Sequence, residues 1–187
     1  MGDPVLPADG LCLRRSRPDD IPFIRYAEAA PENARFVGQW TEPEHQECMI
    51  DADCRHMVIE DRASGADGGN DPRVGYVLLQ GLRDENGSLL LRRFVVARKG
   101  RGVGRRVLAA ILRHAFDDIG CHRLWLDVRE DNVRAIDLYR RFGFVVEGRE
   151  RENVRLDDTY LSTLRMSLLD REYRGAAPAH GPAPPYA

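Results

Sequence analysis

One junction constrains this chain more than any other. An apolar run, LLLRRFVV (residues 89–96), is followed almost at once by RKGRGVGRRVL (residues 98–108). Gly100, Gly102 and Gly104 alternate there with Lys99, Arg101 and Val103, and Arg105 and Arg106 follow. From residue 105 to 119 the apolar positions are Val107, Leu108, Ile111, Leu112, Ala115, Phe116 and Ile119, a helical face with a period near 3.6 that Gly120 ends. A strand that runs through bare backbone into an amphipathic helix is an anion-binding design. Glycines let backbone N–H groups converge without Cβ atoms in the way. The unpaired N–H groups of the first helical turn and the helix dipole add positive potential. The spacing predicts a phosphate or pyrophosphate ligand at residues 100–105.

The flanking sequence fills in the rest of one domain. LCLRRS (11–16) reads as a strand, and residues 17–30 read as a helix with an imperfect stripe at Ile21, Ile24 and Ala27/Glu28. Residues 31–43 have no clear pattern, and a second helix is expected over 43–53. Strands follow at 56–61, 73–82 and 89–96, the last two joined by a predicted Asn-Gly hairpin turn within RDENGS. Residues 64–72 are a turn-rich loop. After the glycine stretch come the helix at 105–119, a strand at 121–128, a helix at 132–142 stopped by Gly143, and two strands at 144–148 and 159–169 that form a hairpin. The expected organisation is a flexible segment at 1–10, one domain at 11–173 and a disordered Pro/Ala-rich tail at 174–187. The order of elements predicts a mixed α/β (α+β) sheet of six to seven strands, mostly antiparallel, with helices on both faces.

Two phosphate-binding motifs are excluded at the glycine stretch. It lacks the Lys-Ser/Thr ending of a Walker A loop, and Arg105 or Val107 stands where a Rossmann fingerprint needs its third glycine. The stretch resembles instead the acyl-CoA loop of the GNAT superfamily of N-acetyltransferases, Q/R-x-x-G-x-G/A. Gly102 and Gly104 match it, and Lys99 stands in place of Gln or Arg. NVRAIDLYRRFGF (132–144) resembles a second motif of that superfamily, N-x-x-A-x-x-L-Y-x-x-x-G-F, at Asn132, Ala135, Leu138, Tyr139, Gly143 and Phe144. RLWLDVREDN and GFVVEGRERENVRL resemble the branch holding the ribosomal-protein alanine and spermidine acetyltransferases.

The resemblance implies transfer of an acetyl group from acetyl-CoA to a primary amine of a small molecule or a protein N-terminus. It implies a splayed strand pair that holds the pantetheine arm, here Phe94, Val95 and Val96 against residues 124–128. Lys99, Gly100, Arg101, Gly102, Val103, Gly104 and Arg105 would hold the cofactor's phosphates. A backbone N–H near Val96 would face the thioester oxygen. Asn132 would bond the cofactor or fix the loop entering the second helix, and Tyr139 would protonate the leaving thiolate. The bland reading of Tyr139 is a packed helix tyrosine. No general base is visible, because leucines occupy the strand positions where the resemblance would put a glutamate. Glu85, Asp127 and Glu130 are the alternatives, and a water chain could serve instead. The missing glutamate keeps a second reading open, a non-catalytic acyl-CoA-binding domain.

Composition sets the outer limits. The 187-residue chain has a net charge of −2, so its field favours neither nucleic acid nor an anionic membrane. No apolar run approaches a membrane span, and the acidic, Pro/Gly-rich N-terminus does not read as a signal peptide. Cys12, Cys48, Cys54 and Cys121 form no C-x-x-C pair and are read as free thiols in a reducing cytoplasm. His45, Cys48, Cys54 and His56 cluster in sequence, but their spacing fits no zinc pattern, and no metal is expected. The late strands could pair in a homodimer, although no residue compels it.

Overall fold

The structure, a computed structural model, describes residues 6–8, 10–61, 71–98 and 102–175. Its strands are β1 (Leu6–Ala8), β2 (Leu11–Arg15), β3 (Cys54–Asp61), β4 (Arg73–Gln80), β5 (Ser88–Val96), β6 (Arg123–Arg129), β7 (Val145–Leu156) and β8 (Thr159–Leu169). They form one sheet in the order β1-β2-β3-β4-β5-β6-β8-β7. Every neighbouring pair is antiparallel except β5 and β6, which run parallel. The helices are α1 (Ile21–Ala29), α2 (Pro31–Ala34), α3 (Glu42–Ile50), α4 (Val103–Arg113), α5 (Val133–Arg141) and α6 (Asp170–Gly175).

The two faces of the sheet carry separate cores. On one face, α4 and α5 pack Val107, Leu108, Ile111 and Ile136 onto Met57, Val77, Leu79, Leu89, Leu124 and Met166. On the other, Ile24 and Ala27 of α1 meet Val58, Tyr76 and Val95, and Cys48 of α3 meets Cys54 and Leu78. This is the mixed sheet with helices on both faces that the order of elements predicts.

Four expectations change. The sheet has eight strands, because Leu6–Ala8 pairs with β2 and buries Leu6 and Ala8 where a flexible segment was expected. Three residues with a proline among them are too short to show alternation, so only pairing reveals this edge. The hairpin between β4 and β5 is not a two-residue Asn-Gly turn. Gln80 pairs with Leu90, Gly87 has φ +65° while Asn86 keeps a negative φ, and the Asp84 carboxylate accepts N–H bonds from Asn86 and Ser88, each 3.0 Å. The helix of residues 105–119 is α-helical only to Arg113 and continues as a π-helical stretch, His114–Ile119, before Gly120 at φ +74°. Finally, α6 extends the domain to Gly175, with Tyr173 stacked on Phe116 at 4.7 Å, so Arg174 and Gly175 belong to a helix rather than to the tail. The remainder of the expected tail, residues 176–187, and most of the loop at 64–72 lie outside the described residues.

Candidate active site

The site is built where β5 leaves β6. Ser88, Leu89 and Leu90 pair with Arg123, Leu124 and Trp125, and there the pairing stops, although β5 continues to Val96 and β6 to Arg129. Two local features part the strands. Leu78 and Leu79 of β4 oppose Arg93 and Leu91, so Arg92 is an extra residue in β5, a bulge that bends the strand. Meanwhile β6 stays in register with β8 from Arg123–Leu169 to Arg129–Thr163.

The bulge also decides which groups face the opening. Val95 pairs with Tyr76, and the Ala97 N–H donates to the Val74 carbonyl at 2.8 Å, so the amides of Val95 and Ala97 point toward β4. Strand alternation then turns the amides of Phe94 and Val96 to the edge that looks toward β6. Side chains follow the same phase. Phe94 and Val96 pack against the α4/α5 core, while Val95 is buried with Ile24, Ala27 and Tyr76. Of the three β5 positions expected at the cofactor, Phe94 and Val96 therefore border the opening. Val95 turns both its side chain and its main chain away from it.

Gly102 caps α4 in the left-handed region, φ +68°, with nothing within 4 Å of where a Cβ would sit. The N–H groups of Val103, Gly104 and Arg105 occupy the first turn, where a helix offers no carbonyl partner. A Cβ on Gly104 would stand 3.5 Å from Leu138 of α5 and 4.0 Å from Phe94 of β5, so a bare residue there keeps the helix start close to both walls. Lys99, Gly100 and Arg101 lie outside the described residues.

Helix α5 closes the opposite wall. The Asn132 side chain caps it, accepting the Ala135 N–H at 3.3 Å. Tyr139 is 8% exposed and its ring lies 5.5 Å from that of Phe144. Burial pushes its phenol pKa up, and its hydroxyl makes no hydrogen bond among the described residues. The turn before α5 is tied to the far side of the sheet. Asp131 accepts from Arg129 at 3.0 Å and from Arg35 at 2.7 Å, and Arg129 also donates to the Arg35 carbonyl.

The carboxylates named as alternative bases are occupied or remote. Asp127 accepts two bonds from Arg165, and Glu130 accepts two from Arg149, which holds its pKa below the usual range. Glu85 is exposed in the loop before β5, at the far end of that strand from the opening.

A carboxylate not singled out from sequence lies under the α1/α3 face. Glu28 is 1% exposed and forms part of the wall of a cavity of about 430 Å³, with Arg25, Tyr26, Gln39, Trp40 and Thr41. Tyr76 donates to its Oε1, the Trp40 N–H donates to Oε2 at 3.1 Å, and Arg93 Nη1 lies 3.5 Å from Oε1. Burial acts to raise its pKa. The His45 and Tyr76 partners, the Arg93 charge and the Trp40 N–H outweigh burial and hold it below the usual carboxylate range. The sequence signal was its place on the apolar stripe of α1, where an unpaired acid would be costly. His45 and His56 do come together, with Glu28 and Tyr76. No group of three or more His, Cys, Asp or Glu side chains among the described residues is arranged to hold a metal ion.

Comparison with known proteins is consistent with this geometry. The profile of the acetyltransferase (GNAT) family matches residues 23–144. A probable spermine N(1)-acetyltransferase of Bacillus subtilis subsp. natto is 37% identical over 67 residues, covering 35% of this chain and 44% of that protein. The chain thus matches less than half the length of that relative. The spermidine N(1)-acetyltransferase of Escherichia coli K12 is 23% identical over 163 residues, covering 84% of this chain and 86% of its own. Among solved structures, a spermidine N-acetyltransferase from Vibrio cholerae in complex with CoA and spermine superposes with a TM-score of 0.75 at 23% identity, over 88% of this chain and 98% of that one.

Proposed function

The chain belongs to the acetyltransferase (GNAT) family, and from that premise we propose that it transfers the acetyl group of acetyl-CoA to a primary amine by direct attack. The observation that carries the reading is the unpaired edge of β5 beyond Leu90, facing β6 across an opening. The pantetheine arm has amide groups at the spacing a strand needs, and it would bond Phe94 and Val96 as an added strand does. Its pyrophosphate would meet the N–H groups of Val103, Gly104 and Arg105, and Lys99, Gly100 and Arg101 are proposed to add to the phosphate contacts.

With the arm so placed, the oxyanion and the leaving thiolate have residues to serve them. The Val96 N–H serves the developing oxyanion. Tyr139 donates its proton to the departing CoA thiolate, and a phenol whose pKa burial raises stays protonated until that moment. Asn132 acts through the helix it caps, fixing Tyr139. The amine enters from the α1/α3 side, through the cavity beside Glu28 and Trp40.

The acceptor is proposed to be an aliphatic primary amine, and the relatives named for spermidine and spermine make polyamines the first to try. Among the described residues lining the cavity there is one carboxylate, Glu28, beside one guanidinium, Arg25. That is a seat for one ammonium rather than a row of them. The test is calorimetric titration with acetyl-CoA, followed by an amine screen read as CoA thiol release. Acetyl-CoA binding with amine-dependent release supports the proposal. Binding without release for any amine would leave an acyl-CoA-binding domain, and no binding would remove both.

A further inference from the structure

A line of buried polar groups runs from the cavity through α3 and β3 to the end of β2. Glu28 Oε2 stands 3.6 Å from His45 Nε2. His45 Nδ1 lies 3.1 Å from His56 Nε2, and His56 Nδ1 lies 2.8 Å from the Ser16 hydroxyl, which is half-buried at the end of β2. Glu28, His45 and His56 are 1%, 0% and 1% exposed. His45 Nε2 is buried without a hydrogen-bond partner, and it faces the Glu28 carboxylate. Four side chains from α1, α3, β3 and the β2 end, far apart in sequence, thus form one file that opens on a cavity at one end and toward the surface at the other.

We propose that Glu28 is the general base of the amine acetylation and that His45, His56 and Ser16 carry the proton away from it. The inference rests on the acetyltransferase reading above and supplies the base that reading lacks. The acceptor amine arrives as an ammonium and must lose one proton before its lone pair can attack. That proton passes from nitrogen to Glu28 Oε2. His45 takes it at Nε2 and releases the one on Nδ1 to His56 Nε2. His56 releases its Nδ1 proton to Ser16 Oγ, whose own proton leaves to water. The freed amine forms the C–N bond with the thioester carbon, the C–S bond then breaks as Tyr139 protonates the sulfur, and the second proton of the now cationic nitrogen returns to the Tyr139 oxygen, leaving a neutral amide and a restored phenol.

The file admits two neutral arrangements. In one, both rings carry hydrogen on Nδ1, His45 donates to His56, His56 donates to Ser16, and the bare Nε2 of His45 awaits a proton opposite Glu28. In the other, both carry hydrogen on Nε2 and every bond reverses. The two differ by one proton moved from the Glu28 end to the Ser16 end, so no buried imidazolium has to persist. Arg93, Tyr76 and the Trp40 N–H face the same carboxylate and keep it ionised, which makes Glu28 an ammonium clamp but a poor resting place for a proton. An onward path resolves that conflict. An anchor for α1 alone would need neither the second histidine nor the serine.

The experiment compares 2-phenylethylamine, protonated at neutral pH, with its weakly basic β,β-difluoro analogue, which has little proton to lose. Glu28→Gln keeps the side-chain shape and one acceptor oxygen, for either the Tyr76 hydroxyl or the Trp40 N–H, but cannot take the proton. Its kcat/KM should fall about 100-fold or more for 2-phenylethylamine, the usual size of general-base catalysis, and less than about tenfold for the analogue, with acetyl-CoA affinity held. Equal losses for both amines overturn the inference. So that the inference survives a variant that folds poorly, the wild type gives a second readout. Its kcat/KM for 2-phenylethylamine should show a solvent isotope effect that curves with deuterium content, because several protons move together. A linear dependence overturns the relay. Wild type that acetylates neither these amines nor any other in the screen overturns the function itself, a different failure from equal losses in the variant.

Discussion

Leu90 of β5 and Trp125 of β6 are the last residues joined across the parallel pair, and six further residues of β5 run on without a partner on that side. An unpaired edge inside a sheet would ordinarily be a defect, since it strands amides that a neighbouring strand should satisfy. Here the Arg92 bulge creates it, and the Val96 N–H is left facing the gap. Val96→Pro removes that one donor and nothing from the β4 ladder, so the fold should survive as it does for proline on a sheet edge. Turnover should drop by about 100- to 1,000-fold, the cost of deleting one oxyanion donor. Steady-state rates beside an unfolding curve check it, and an unchanged kcat would remove Val96 from the reaction.

Tyr139→Phe separates the chemical role of the phenol from its packing. The ring contact with Phe144 at 5.5 Å persists in the variant, and the hydroxyl makes no hydrogen bond among the described residues, so the melting temperature should hold. If the hydroxyl protonates the thiolate, kcat falls by about 100-fold or more with acetyl-CoA affinity within a factor of a few. Parallel loss of affinity and turnover would restore the plain reading, a packed helix tyrosine.

Asn132 is a helix cap in the structure, and this has a measurable consequence distinct from cofactor contact. Asn132→Ala should cost about 1 kcal/mol of stability through the lost Ala135 N–H bond, whereas Asn132→Asp or Asn132→Ser should restore most of it. Denaturant titration of the three variants checks the order. A stability unchanged in Asn132→Ala would shift Asn132 from cap to ligand contact.

These positions were legible in sequence because each rests on local pattern. The strand, glycine turn and helix of residues 89–119, and the capped helix at 132–142, follow from periodicity and from where glycine must stand, as at Gly102 and Gly143 with φ +68° and +90°. What escaped depends on partners remote in sequence. Leu6–Ala8 becomes a strand only because β2 pairs with it and α4 covers it. Val95 looked equivalent to Phe94 and Val96 until the bulge fixed the phase of the strand. His45 and His56 stood out in sequence with Cys48 and Cys54 as a cluster whose spacing fits no zinc pattern, and the carboxylate they meet, Glu28, sits on another helix. Side-chain chemistry was readable, and its assembly across α1, α3 and β4 was not.

The same histidine pair predicts how the protein responds to acid. Burial, reinforced by the neighbouring His45, pushes the His56 pKa from its ordinary 6.5 down to about 3, although Glu28 pulls the other way. In the unfolded chain His56 takes up a proton as the pH passes below 6.5, while in the folded protein it stays neutral until near 3. Between those values the unfolded state binds more protons, so stability rises with pH there and is lost on acidification from about 6.5 toward 3. Asp20, which Arg14 and Arg73 hold below its ordinary 3.8 against the opposing effect of burial, adds its own loss only near and below that pH. The decline should therefore begin well above the carboxylate range. His56→Gln, which cannot titrate, should flatten the upper part of the curve even if it lowers stability at neutral pH. Unfolding free energies measured across this window for the two proteins check it. Parallel curves above pH 4 would mean that His56 takes up its proton in the folded protein as it does in the unfolded chain, and the lowered His56 pKa would have to be abandoned.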